Sequence, residues 1–380
     1  MAISSIPPST AKLFTPVTLG SVTMPTRIFM APMARNRTTD TVPNDIMRDY
    51  YVQRVRGGAG LIVTEASLVS EQGTEWANSP GMWSREQTEG WKKVVDAVHK
   101  EGGRIFCQIV HTGRVCHPDA PHQIASGEPV WAPSAVRAAG GKFRFLPGIP
   151  GYVTPTEIPD PMKIVELFRI AALNAKEAGF DGLEIHGATG YLIHQFIDPS
   201  VNLRTDKWGG SVENRTRFPL EILKVVRPIW GPNVAFKFNP GAGYNDMGFP
   251  LDETIETYGY LLTEIDKLGL AYVCLLQYLD SLDPTKRGTP HDVWETYKPF
   301  LKNTPLIPNG GITPEQALEW VESGKYPAVL IGIPWISHPD LGRRIKAGKP
   351  LDNVLDGPHV YGGDYEPSIG FLDYPEAIYD

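Results

Sequence analysis

The chain has 380 residues, with 43 Asp and Glu against 36 Lys and Arg, a net charge of -7. An acidic balance without a basic cluster excludes phosphate-backbone binding, so small molecules rather than nucleic acid are the expected partners. Hydrophobic residues at 42% and charged residues at 21% are ordinary globular values, and no apolar run is long enough to cross a bilayer.

The N-terminal stretch lacks the long apolar core of a secretory leader, and three cysteines (Cys107, Cys116, Cys274) leave one unpaired. Two of them sit in apolar, strand-like runs. A reducing compartment, the cytoplasm, is therefore expected, with no membrane association.

From the N-terminus, a short polar hairpin at 17–27 leads into apolar runs that predict strands at 28–33, 61–66, 104–110, 182–186, 234–239, 272–277, 306–309 and 328–333. Between them Trp91, Val94, Val95 and Val98 recur with helical spacing, as do Ile164, Val165, Phe168, Ala171, Ala172 and Ala175. Eight strands alternating with helices is the count of a (β/α)8 TIM barrel, so one α/β domain over residues 1–380 is expected, the hairpin capping its bottom. The connection at 112–160, after the third strand, is rich in Gly and Pro and has no helical period, which suits a functional lid. Gly209-Gly210-Ser211 precedes an amphipathic helix at 212–226, with Ser211 as its N-cap.

Barrel enzymes carry their chemistry at the C-terminal ends of the strands. Here those ends offer Pro32-Met33-Ala34, Glu65-Ala66, Gln108 with His111, His186, Lys237, Gln277, Asn309-Gly310-Gly311 and Gly332-Ile333. The glycines after strands seven and eight occupy the usual phosphate position of such barrels, although loop glycines also simply turn the chain. His186, Thr189 and Tyr191 form a small polar cluster past the fourth strand; a lone histidine and tyrosine there are as often satisfied structural groups.

Lys237 lies between Phe236 and Phe238, so strand alternation turns it into the barrel. Glu184 shares a facing with His186 and is placed to form a structural ion pair with Lys237 across strands four and five. An inward lysine also permits Schiff-base chemistry, making a class I aldolase-like lyase the rival reading. No dinucleotide glycine motif, Walker loop or HExxH is present. His111, Cys116, His117 and His122 lack a second clustered ligand set, so no metal is expected.

The segment HGATGYLIHQFIDPSVNLRTDKWGGSVENRTRF at 186–218, with Met30-Ala31-Pro32-Met33, Gln108, Pro80-Gly81-Met82-Trp83, Tyr361-Gly362-Gly363 and Asp373-Tyr374-Pro375, resembles the old yellow enzyme family of flavin-dependent ene-reductases. The likeness runs from about Leu13 to Pro375, nearly the whole chain, and its wording looks closest to filamentous-fungal members. It implies a barrel holding FMN that uses NADPH or NADH to reduce activated C=C bonds of enones and enals, as a monomer or homodimer. His186 matches the donor to the substrate carbonyl, Tyr191 the proton donor to carbon, and Gln108 the residue on the flavin pyrimidine edge. Pro32, Met33, Ala34 and Ala66 match flavin-lining positions, and Gly310, Gly311 and Gly332 the phosphate site. Trp76, Tyr244 and Tyr361 match aromatic residues around the substrate.

Four positions depart from the family pattern. Thr189 replaces the asparagine or histidine that supplies a second carbonyl donor. Lys237 replaces an arginine beside flavin N1 and O2, keeping the charge but losing the planar fork. Ala34 replaces a hydroxyl or thiol donor near flavin O4, and Ile333 replaces a phosphate-binding arginine. With so many changes, a non-catalytic flavin carrier is a further reading. The chemistry itself suits the residues: donors such as His186 and Thr189 stabilise an enolate oxygen, and a tyrosine with pKa near ~10 remains protonated and able to give its proton to carbon.

Overall fold

The computed structural model describes residues 11–74, 76–139 and 152–379. Eight parallel strands close into a barrel: β1 (Ile28–Met30), β2 (Leu61–Val63), β3 (Ile105–Val110), β4 (Gly182–Gly187), β5 (Val234–Phe238), β6 (Tyr272–Leu276), β7 (Leu306–Asn309) and β8 (Val329–Ile331). Each pairs with its sequence neighbours, and β8 returns to β1 to complete the ring. All eight expected strands are present, six of them one to three residues shorter than the apolar runs.

Residues alternate across the wall. Phe236 and Phe238 stack on each other and face the helices, while Ala235 and Lys237 face inward. The helices lie outside: α1 (Asp45–Arg56), α2 (Arg85–Lys100), α3 (Pro161–Glu177), α4 (Arg217–Trp230), α5 (Leu251–Asp266), α6 (Val293–Tyr297), α7 (Pro314–Glu322) and α8 (Leu341–Ala347). Sequence explains their starts. Ser84 and Gln87 form a reciprocal capping box at α2, and Asp160 caps α3 ahead of Pro161 at its first turn. The apolar stripes anticipated for α2 and α3 are buried.

The hairpin of Val17–Leu19 and Val22–Met24 plugs the lower mouth, as expected. Leu19, Val22 and Met24 pack on inward residues such as Phe29, Leu61 and Phe106. Asn233, just before β5, pins its turn by accepting from the Ser21 amide (2.8 Å) and hydroxyl (2.9 Å). Lower barrel and hairpin thus form a largely apolar core, which leaves the upper end for chemistry.

One sequence expectation needs correction. Ser211 does cap a helix, but Val212–Arg215 ends at Thr216 and a second helix, α4, follows. Pro219 has no N–H to bond the Arg215 carbonyl, so the ladder cannot run through. The long connection after β3, in its described parts, is tied down: buried Arg114 donates to the carbonyls of Val136 (3.1 Å) and Asp246 (2.9 Å). Val115, Ala138 and Tyr152 cluster there against Tyr191. The middle of that connection, 140–151, lies outside the described residues.

Candidate active site

His186 is the penultimate residue of β4, faces into the barrel and is buried. Its Nδ1 accepts the Ala188 N–H at 3.3 Å, so the neutral ring carries its proton on Nε2, 3.4 Å from Thr189 Oγ1. Desolvation, helped by the charge of Lys237 and then by His194, pushes the His186 pKa well below the usual histidine value. The ring stands perpendicular to Tyr191, 5.1 Å between centroids.

A tight turn brings these groups together. Thr189 has φ of 55° and Gly190 of 79°, and a Cβ on Gly190 would meet Asn245 Cβ at 2.6 Å. A β-branched residue in left-handed geometry stores strain of order ~1–3 kcal/mol. Asn245 holds the turn, its Nδ2 donating to the Thr189 carbonyl at 2.8 Å. Gln195 donates to the carbonyls of Gly190 (2.8 Å) and Thr112 (2.9 Å), stitching the turn to the end of β3. His194, buried beneath, accepts the Gly190 N–H.

Burial pushes both His111 and His194 down to about 4. With His186, three histidines therefore fold neutral. Each folded pKa is depressed, so below about 6.5 the unfolded chain binds protons that the native state refuses. Their contribution is complete above about pH 6.5 and is lost toward pH 4, at about 1.4 kcal/mol per pH unit for each histidine. The thermal midpoint should accordingly fall clearly between about pH 7.5 and about pH 5, and an unchanged midpoint would contradict neutral burial.

Lower in the barrel, β3 to β7 build a polar ladder. Gln108 and Ala235 flank Glu184, and Lys237 sits level with His186 and Cys274. The expected Glu184–Lys237 ion pair does not form. Glu184 lies two residues below Lys237 in register, about 6–7 Å along the strand. Lys237 instead leans upward, its Nζ donating to Asn309 Oδ1 at 3.0 Å, while Asn309 Nδ2 donates to the Leu330 carbonyl at 2.8 Å. The Glu184 carboxylate, fully buried and raised in pKa by desolvation, accepts from Gln108 Nε2 (2.7 Å) and Tyr272 OH (2.8 Å).

The upper rim can hold an anion. Gly310 and Gly311 have φ of 108° and 69°; a Cβ on Gly311 would enter open space, and one on Gly332 would meet nothing closer than Met33 Sδ at 3.7 Å. Ile333 follows, 62% exposed. Pro32, Met33, Ala34 and Ala66 lie half-buried on the same rim beyond β1 and β2. A buried cation, a primary amide, small half-exposed side chains and a glycine turn with free space suit a flat heterocycle with a phosphate tail. That donor set fits FMN. The isoleucine gives the phosphate no charge, so Ile333→Arg should tighten FMN through a charge-assisted bond, by roughly the 1.5–3 kcal/mol such bonds contribute, or about tenfold or more. Equal or weaker binding, read by flavin fluorescence on dilution, would show the phosphate already satisfied.

The rings of Trp76 and Tyr361, from the loop after β2 and from the C-terminal segment, pack tilted by 33° with 4.5 Å between centroids. Tyr244 lies half-buried beside the Gly190 turn. Sequence reading missed what holds this wall. Asn36, with φ of 55°, accepts from the Asn78 N–H at 2.8 Å and donates to the Gly362 carbonyl at 3.4 Å. Arg35 and Arg37, both buried, bond the carbonyls of Val360, Gly370, Pro367, His359 and Ile369. An asparagine in a loop, with its tolerance of left-handed geometry, was the available signal for Asn36.

Among the described residues no group of three or more His, Cys, Asp or Glu is placed to hold a metal. His111 bonds Gln72, and His122 lies between Asp40 and Glu71. No helix of the described residues is long and apolar enough to cross a membrane.

A closed barrel whose open end joins a buried cation and amide, a glycine phosphate turn and a neutral histidine beside a tyrosine is laid out as a flavin oxidoreductase. The model of the NADH:flavin oxidoreductase / NADH oxidase family matches residues 12–352. The chain is 38% identical to a putative 12-oxophytodienoate reductase 11 of Oryza sativa subsp. japonica, covering 97% of this chain and 98% of that protein. It is 35% identical to the NADP-dependent oxidoreductase lnbE of Aspergillus flavus, covering 96% of each. A morphinone reductase in complex with tetrahydroNAD superposes with a TM-score of 0.84 at 36% identity, covering 96% of this chain and 98% of that one. The chain therefore belongs to the NADH:flavin oxidoreductase family, that of the old yellow enzymes, and is an FMN-dependent, NAD(P)H-using ene-reductase. Plant and fungal proteins are both among its relatives. Membership displaces the Schiff-base lyase.

Proposed function

We propose that His186 and Thr189 hold the carbonyl oxygen of an enone or enal, and that Tyr191 gives a proton to its α-carbon. The observation that carries this reading is the neutral His186, its Nε2–H beside Thr189 Oγ1 and its ring edge-on to Tyr191. Neutral N–H and O–H donors placed at a carbonyl oxygen stabilise the negative charge that develops there. The Tyr191 hydroxyl supplies the proton that the α-carbon needs once the β-carbon has accepted hydride.

The chemistry that FMN would supply here, when bound, is transfer of hydride from NADPH or NADH to the substrate's β-carbon. Gln108 and Lys237 would hold its pyrimidine edge, the cation favouring negative charge there. Pro32, Met33, Ala34 and Ala66 would line the ring, and the backbone at Gly310, Gly311, Gly332 and Ile333 would hold the phosphate. Trp76, Tyr244 and Tyr361 bound the substrate space. We further propose that residues 1–380 act as one domain, in the cytoplasm, as a monomer or homodimer; three buried cysteines, none in a disulfide, support a reducing compartment.

Anaerobic incubation of the purified yellow protein with NADPH or NADH and cyclohexenone should give cyclohexanone in proportion to nicotinamide oxidised. Nicotinamide oxidation without saturated ketone would overturn the assignment.

A further inference from the structure

Glu184 has no place in the chemistry proposed above, yet it sits at the centre of the polar ladder. Its burial is complete. Both of its oxygens are engaged, one by Gln108 Nε2 at 2.7 Å and the other by Tyr272 OH at 2.8 Å. No cation lies within ion-pair distance among the described residues, since Lys237 is drawn up to Asn309. Burying a carboxylate costs several kcal/mol that an apolar residue at this rung would not. Such a group persists where its acceptor character is needed.

A carboxylate accepts and never donates, whereas a glutamine amide has an accepting oxygen on one side and a donating nitrogen on the other. Gln108 can therefore meet Glu184 in one orientation only, with Nε2 toward the carboxylate. Its Oε1 and second N–H are left for a ligand edge that sets a donor beside an acceptor, as the flavin pyrimidine ring does. We infer that Glu184 is a positioning residue that fixes the amide orientation of Gln108 and so the hydrogen-bond pattern it presents to the flavin. This rests on reading Gln108 as a flavin contact. Tyr272 satisfies the second oxygen and keeps the carboxylate from turning.

The test is the dissociation constant of FMN, read by flavin fluorescence on dilution of the holoenzyme. In Glu184→Gln the new amide can satisfy Gln108 in either orientation, so Gln108 is no longer fixed and FMN should weaken about tenfold, the equivalent of one misplaced hydrogen bond. With Gln108→Leu already in place, adding Glu184→Gln should change the constant less than about twofold, because nothing remains to orient. Tyr272→Phe keeps the Gln108–Glu184 bond and should also stay within about twofold. Additive losses in the double variant, or an equal loss in Tyr272→Phe, would overturn the inference and leave Glu184 a charge or packing group. If Gln108→Leu alone leaves FMN binding unchanged, the flavin contact of Gln108 falls and the inference with it. If Gln108→Leu weakens FMN and Glu184→Gln does not, only the inference falls.

Discussion

Tyr191→Phe should leave reduction by NAD(P)H within a few-fold of the parent while slowing reoxidation by an enone by roughly the 10²–10⁴-fold of a lost general acid. Phenylalanine keeps the ring that stands perpendicular to His186 at 5.1 Å and the packing against Val115, Ala138 and Tyr152, and removes the hydroxyl with its proton. A nitroalkene should lose much less than an enone, because its nitronate is stable without protonation at carbon. Stopped-flow measurement of each half-reaction decides the matter. Enone-driven reoxidation at the parent rate would make Tyr191 structural.

The second large effect is expected at His186. His186→Leu fills the same buried space but removes the Nε2–H beside Thr189, and kcat/KM for an enone should fall roughly 10²–10³-fold, the range for one lost oxyanion donor. His186→Asn, which restores an N–H donor, should recover part of the loss. Because the histidine is held neutral, the parent's kcat/KM should show no break near the ordinary histidine pKa of about 6.5 that His186→Asn abolishes. Equal activity of the leucine and parent proteins would remove His186 from the site.

The barrel was legible because each strand is buried on both sides and reads as a short apolar run between polar turns; Val234–Phe238 and Tyr272–Leu276 are examples. Motif wording carried the site to His186, Thr189 and Tyr191, which the structure does bring together. Facing was predictable and height was not. Alternation put Glu184 and Lys237 inside the barrel, but only strand register shows them on different rungs, with Asn309 taking the lysine. Asn36 and Arg35 escaped notice because their partners at 360–370 lie more than three hundred residues away in sequence. The break at Thr216 was written in Pro219, masked by an apolar period that runs on through both helices.

Anaerobic titration of the holoenzyme tests the central claim most directly. One equivalent of NADPH or NADH per FMN should bleach the visible flavin band, and one equivalent of an enone should restore it with release of the saturated ketone. A band that NAD(P)H bleaches and that stays bleached when the enone is added would contradict the account.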